Sequence, residues 1–257
     1  MESVTKKWGF DAQKAKERIV KDIRKWFDQN FPNGNACLGI SGGKDSSVAC
    51  GLLCEALGKE RVIGVLMPNG EQRDISDSHR VCEFFGIKNI TINIQLPYQA
   101  IIAAVSANTV LSQQTRFNLP PRLRMTTLFA VAQSYNAVVI NTGNESEYLL
   151  GWFTFGSDLC GSYAPILDYT CTEVIEIGRV LGLPEDLICK TPSDGLCGAS
   201  DEEKFGFSYA DCDTFIRTGE YKSQEIHDKI HEMSRKSNFK RIPIAFSKNK
   251  EKISHIL

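Results

Sequence analysis

The sequence has no surplus of charge of either sign: 30 Lys and Arg face 31 Asp and Glu, a formal net charge of −1 at pH 7. That balance supplies no bulk field to hold a nucleic-acid backbone, so no nucleic-acid partner is expected. It has no apolar run long enough to span a bilayer, and its start, MESVTKKWGFDAQKAKERIVKDIRKW, lacks the apolar stretch of a signal peptide. No membrane partner is expected, and the expected compartment is the cytoplasm. It has no C-x-x-C pair among its nine cysteines, at 37, 50, 54, 82, 160, 171, 189, 197 and 212. An odd count without ligand spacing or nearby histidines argues against a disulfide framework and a zinc knuckle. Most of these thiols are expected to be small buried hydrophobes in a reducing compartment. With no internal repeat, low-complexity block or clear linker, the 257 residues read as one domain, 1–257.

What is present centres on Cys37 to Ser47, CLGISGGKDSS. Apolar residues at 36–40 fit a buried strand, Gly42 and Gly43 permit backbone angles closed to other residues, and Val48, Leu52 and Leu53 begin a helical stripe. A strand feeding a helix through glycines makes a phosphate cradle. The helix N-terminus offers unpaired N–H groups and the positive end of its dipole, and Ser41, Ser46 and Ser47 add hydroxyls. The string is not the P-loop GxxxxGK[ST], because Lys44 precedes the acid and no Lys-Ser/Thr pair closes the loop.

Along the chain, apolar positions at helical spacing predict an amphipathic helix over 11–30, then the first strand and a helix ending at Gly58. Strands are predicted at 61–68, 89–94 and 137–141, and helices at 74–86, 98–112, 121–135, 172–182 and 221–236. The stretch 190–209 reads as a long loop. Strands alternating with helices predict an α/β fold, a parallel sheet with helices on both faces. Ligands of such sheets sit at the carboxyl ends of the strands, where strand order reverses. Ser41 to Ser47, Pro68 to Gly70 and Thr142 to Glu147 should therefore converge on one rim. Two carboxylates there, Asp45 and Glu147, would suit Mg²⁺ beside phosphate oxygens.

The string SGGKDS resembles the SGGxDS loop of the ATP pyrophosphatases, which split ATP into AMP and pyrophosphate while adenylating a substrate. Further segments resemble the NAD synthetases among them: Asn118 with Arg122 to Met125, Thr142 to Glu147, Gly151 to Thr154, Pro165-Ile166 with Asp168, and Lys190 to Ser193 with Gly195-Leu196. Asp201-Glu202, Gly206, Tyr209, Asp213 and Lys240-Arg241 before Pro243 continue the match in order. The resemblance implies a Rossmann-like, adenine-nucleotide-hydrolase-like fold. It also implies ATP- and Mg²⁺-dependent amidation of deamido-NAD to NAD by ammonia, in a homodimer that binds the dinucleotide at its interface.

By the same resemblance, Gly39, Ile40, Ser41, Gly42, Gly43, Lys44, Asp45, Ser46, Thr142, Lys190 and Ser193 would contact ATP. Ser41, Lys44 and Asp45 would act in catalysis, Asp45 and Glu147 would hold the metal, and Arg122, Asp158 and Lys240 would face deamido-NAD. Glutamine-using relatives carry an amidase domain ahead of this one; here few residues precede the first strand, so free ammonia is the expected nitrogen source. Four positions depart from the family pattern: Asn141 stands where a glycine is usual, Phe155 and Cys171 where lysines are usual, and Ser162 where an aspartate is. Lys44, where many relatives carry a neutral residue, would restore one of the missing charges. Two other readings remain at this stage: a different adenylating pyrophosphatase, such as a tRNA-thiolating enzyme, and a non-catalytic nucleotide-binding module.

Overall fold

A computed structural model describes residues 3–72, 74–190 and 200–241. Four short runs form one parallel sheet: β1 (Asn35–Gly39), β2 (Val62–Leu66), β3 (Lys88–Thr91) and β4 (Ala137–Val139), in the order β3-β2-β1-β4. Cys37 pairs with Ile63 on one side and Val139 on the other. The side chains of β1 alternate between two cores, as strand geometry requires. Ala36, Leu38 and Ile40 enter one cluster, with Ile19, Ile23 and Phe27 of α1 (Ala12–Asn30) and Leu52 and Leu53 of α2 (Lys44–Leu57). Cys37 enters the opposite cluster with Val65, Leu128 and Val131. Helices therefore cover both faces, as the alternating pattern predicts.

On the first face, α3 (Ile75–Phe85) contributes Val81 and Cys82, and α7 (Cys171–Val180) contributes Val174 and Ile177. The second face is covered by α5 (Gln113–Ser134), with α4 (Gln95–Ser106) beside it. A third cluster joins α6 (Glu145–Leu150), α9 (Asp201–Phe205), α10 (Tyr209–Thr218) and α11 (Gln224–Ser237) through Leu150, Phe205, Tyr209, Cys212 and Ile230. The short α8 (Glu185–Ile188) packs on α2. Five of the cysteines (37, 50, 82, 171 and 212) are buried and free, and Cys197 lies outside the described residues.

The helix expected at 98–112 is α4, which ends at Ser106, and two other expectations change. Spacing places the start of a helix at 121, whereas α5 begins at Gln113 and runs through Pro120 and Pro121. Ser112 Oγ accepts from Thr115 N at 3.1 Å and caps the start. The prolines lack the N–H groups that would bond the preceding turn, a local loss that the flanking turns tolerate. The stretch 190–209, read as a loop, contains α9 and the start of α10 in its described part.

One buried ion pair binds the elements behind the site. Glu173 of α7 is 2% exposed and accepts from Arg217 Nε at 2.7 Å, Arg217 Nη2 at 2.6 Å, Thr170 N at 2.9 Å and Trp8 Nε1 at 2.9 Å. Arg217 of α10 also reaches Glu145 of α6 at 2.7 Å. Burial alone would raise the Glu173 pKa, but the hydrogen bonds from Arg217 and Thr170 outweigh it and hold the carboxyl below its ordinary 4.5. Its stabilising contribution is therefore complete above the ordinary carboxylate range and lost as pH falls through the lowered folded value. Glu173→Ala should lower unfolding free energy by about 3 kcal/mol in urea titrations at neutral pH. The loss should shrink below pH 4, where the wild-type chain loses the same interaction.

Candidate active site

The chain runs outward from β1 to β2 and β3, then returns to place β4 on the other side of β1. The loops after β1 and β4 consequently leave in opposite directions and open a crevice between them. There the structure has a cleft of about 1260 Å³. Ser41, Asn69 and Thr142 all line it, so the three strand-end segments do converge on one rim.

The loop after β1 is shaped by one left-handed residue and several hydroxyls. Gly42 has φ +77°, and a Cβ there would lie 2.7 Å from Asp77 Cβ on α3, so a side chain is excluded twice over. Ser41 Oγ accepts from Gly43 N at 3.2 Å, while Ser46 and Ser47 donate to Gly43 O at 3.2 and 2.8 Å. Ser47 is fully buried and serves the loop rather than the cleft. The N-cap of α2 is Gly43 and no side chain caps it, which leaves first-turn N–H groups for an anion. Gly39, Ile40, Ser41, Gly43 and Ser46 line the cleft, and Gly42 instead presses against α3.

Asp45 and Glu147 meet through Asn144. Asn144 Nδ2 donates to Asp45 Oδ1 at 3.0 Å, its Oδ1 accepts from Glu147 N at 3.0 Å, and its own N–H donates to Glu147 Oε2 at 3.3 Å. The last two bonds are a capping box that starts α6. Lys44, only 5% exposed, donates from Nζ to Asp45 Oδ2 at 2.8 Å and lies 5.6 Å from the centre of the Tyr209 ring. Burial pushes the Glu147 carboxyl up to about 8, reinforced by Asp45 and opposed by Lys44. Burial disfavours the Lys44 ammonium, and the charges of Asp45 and Glu147 reverse this and hold its pKa well above that of an ordinary lysine. A second cavity of about 270 Å³ is lined by Lys44, Cys171 and Tyr209.

The other expected residues divide into two groups. Lys190 lines the cleft, but its Nζ donates to Asp74 Oδ2 at 2.8 Å and Asp77 Oδ2 at 2.9 Å, so its charge is already matched. Ser193 lies outside the described residues. Arg122 is exposed on α5 and donates from Nε to Phe155 O at 3.2 Å. Lys240 Nζ donates to Gly151 O and Phe153 O, both at 2.8 Å. Asp158 accepts from Thr154 N at 2.5 Å and from Ser157 Oγ at 3.0 Å, which commits its carboxylate to its own turn.

Sequence reasoning missed the roles of Asn144, which joins the acid pair, and of Asn141. The latter donates to Asp158 O at 2.5 Å and accepts from Gly143 N at 2.8 Å, fixing the turn after β4. An Asn followed three residues later by Glu is a helix-start signal legible in the sequence.

Among the described residues no cluster of three or more His, Cys, Asp or Glu could hold a metal. Two carboxylates facing a phosphate cradle nevertheless fit Mg²⁺, which usually takes one or two carboxylates and completes its shell with water and phosphate oxygens. Burial and the Asp45 charge raise the Glu147 pKa, and a further cation beside the pair would favour its ionised form.

Relatives are recognisable over most of the chain. The NAD synthase family profile matches residues 16–254. The NH(3)-dependent NAD(+) synthetase of Carboxydothermus hydrogenoformans is 37% identical over 235 residues, covering 88% of this chain and 96% of that one. Two solved structures share the fold. The NMN synthetase of Francisella tularensis has a TM-score of 0.85 at 30% identity, covering 93% of this chain and 99% of that one. The NH3-dependent NAD synthetase of Campylobacter jejuni has a TM-score of 0.77 at 25% identity, covering 93% and 100%. With the order of its strands, the acid pair and the phosphate cradle in place, these matches settle the lineage: the chain belongs to the NAD synthase family of ligases.

Proposed function

We propose that the chain amidates the carboxylate of deamido-NAD with ammonia, using ATP and releasing AMP and pyrophosphate by way of an acyl adenylate. The observation that carries this reading is the company of three features in one cleft: an uncapped helix start behind a glycine loop, an acid pair, and cations at Arg122 and Lys240. A carboxylate resists attack by ammonia, and its adenylate does not. Catalysis then needs positioning and charge dispersal rather than a nucleophilic side chain. The α2 N–H groups and Ser41 hold the triphosphate, and Asp45 and Glu147 hold Mg²⁺, which when bound would disperse phosphate charge. Arg122 and Lys240 face the acceptor. The NH(3)-dependent relatives support ammonia as the nitrogen source.

Lys44 is assigned as the resident cation of the acid pair. Its cavity is shared with Cys171, the position where relatives were expected to carry a lysine, so charge absent from α7 is supplied from α2. A second reading of the acceptor is favoured by the higher TM-score to the Francisella NMN synthetase: the mononucleotide, nicotinic acid mononucleotide, in place of the dinucleotide.

We assign the homodimer to the outer face of α4 and α5. The helix α4, QLPYQAIIAAVS, is apolar yet buries no residue. Leu96 is 77% exposed and Val110 96%, with Ile101, Val105 and Phe129 exposed nearby. Such a patch marks an interface. Cytoplasmic residence agrees with the free thiols, and among the described residues no helix is long and apolar enough to cross a membrane.

The chain should convert ATP, Mg²⁺, ammonium and deamido-NAD into equal amounts of NAD, AMP and pyrophosphate, with nicotinic acid mononucleotide run in parallel. Turnover of the mononucleotide alone would select the second reading, and no amide from either would end both. Lys44→Gln should lower kcat by about 10²-fold in the same assay, since it removes one buried cation from a dry site. Unchanged turnover would show that the charge is dispensable. Sedimentation at micromolar concentration should give twice the chain mass, falling to one in Val105→Asp.

A further inference from the structure

No residue of α11 lines the cleft, yet that helix carries two histidines one turn apart. His227 and His231 have the spacing that brings side chains together on one helix face. Their ring centres lie 4.4 Å apart with the planes at 53°. The rings are seated rather than loose. Phe215 of α10 meets both edge-on, its centre 5.5 Å from that of His227 and 5.4 Å from that of His231, and the Tyr221 ring lies 4.7 Å from His227. Asp228 orients one of the pair: its Oδ1 lies 2.9 Å from His227 Nδ1. Gln224 Nε2, 3.1 Å from the same ring nitrogen, donates instead to Asp228 Oδ1 at 2.8 Å. The carboxylate places the proton of a neutral His227 on Nδ1 and leaves the Nε2 lone pair free. Among the described residues neither ring nitrogen of His231 has a hydrogen-bond partner. The other acids of the helix are matched by lysines, Glu225 by Lys229 at 2.8 Å and Glu232 by Lys236 at 2.6 Å.

We propose that His227 and His231 chelate a late first-row divalent cation of the class of Ni²⁺ and Cu²⁺, with Asp228 orienting His227 from behind. With metal–nitrogen bonds of about 2.1 Å and each ring centre about 1.1 Å behind its nitrogen, two imidazoles at a right angle on one ion have centres about 4.5 Å apart. A tetrahedral angle would part them to about 5.2 Å. The observed 4.4 Å therefore fits neighbouring positions of an octahedral or tetragonal ion better than tetrahedral zinc. Among the described residues no group of three His, Cys, Asp or Glu side chains forms a metal cluster, so water completes the shell. Nitrogen ligands select against Mg²⁺, which takes oxygen, and the pair is chemically distinct from Asp45 and Glu147. The ion would link successive turns of α11. Ser237 at the end of that helix donates to Leu150 O at 3.4 Å, and Arg241 just beyond it donates to Tyr148 O and Leu149 O at 3.0 and 2.9 Å, so α11 anchors the end of α6. A cation that needs the helical spacing binds the folded chain alone and stabilises it.

The test titrates Ni²⁺ into the metal-free, full-length chain with Mg²⁺ in large excess. One equivalent should bind with a Kd on the order of 10 µM. His227→Gln and His231→Gln should each weaken binding by about tenfold or more, and Asp228→Asn by about three- to tenfold, since it removes only the orienting carboxylate. Ni²⁺ at tenfold over its Kd should raise the wild-type unfolding midpoint by about 3 °C and leave that of His231→Gln unmoved. Unchanged affinity in the double variant His227→Gln/His231→Gln would place the ion on the thiols and overturn the proposal. Displacement of Ni²⁺ by Mg²⁺ would place it on the acid pair and overturn it equally. One readout needs no variant. In proton NMR of the wild-type chain, substoichiometric Ni²⁺ should broaden the imidazole signals of His227 and His231 and the ring signals of Tyr221 and Phe215, and spare His79 of α3. Broadening of His79 alone, or of no histidine, would also refute the site.

Discussion

The bond from Asn144 Nδ2 to Asp45 Oδ1 is the interaction on which the site depends. The loops after β1 and β4 diverge because strand order reverses between them, and nothing in the sheet ladder ties their ends together. Asn144 does so across the crevice while it starts α6, so one side chain sets both the direction of a helix and the separation of two acids. The remaining geometry follows. Glu147 is carried into the cleft because it is the third residue of that helix, and Arg217 anchors α6 to α7 and α10 through Glu145 and Glu173.

Charge explains why the arrangement is stable before any ligand binds. Two half-buried acids joined through Asn144 are costly, and here Lys44 stands against them with its ammonium 5.6 Å from the centre of the Tyr209 ring. The ammonium belongs to the first residue of α2, so the cation and the uncapped helix start after the glycine loop are built by one stretch of chain. Cys171 stays neutral beside it: burial first of all keeps its thiol protonated.

Much of this was legible in sequence because it depends on local chemistry. The glycines and serines of SGGKDSS, the β-branched strands and the polar strand ends each carry their own signal. The rest depends on tertiary placement. Neighbouring residues on a helix diverge, so spacing does not anticipate the Lys44–Asp45 pair, which forms where the helix is only beginning. The five residues of α9 are too few to show a period, although Ser200 with Glu203 and Ser208 with Asp211 spell capping boxes that mark α9 and α10. The early start of α5 was hidden by Pro120 and Pro121, which read as a boundary and lie inside the helix.

The clasp of Lys190 between Asp74 and Asp77 has an electrical consequence. An ammonium held by two carboxylates repels an approaching polyanion, since the three charges together are net negative. The ammonium can turn to phosphate only by exchange, and the exchange strands two carboxylates on the rim unless another cation meets them. An anion that brings its own counter-ion meets less of this repulsion than a bare one. That edge of the cleft therefore presents an enclosed ammonium within a net negative rim.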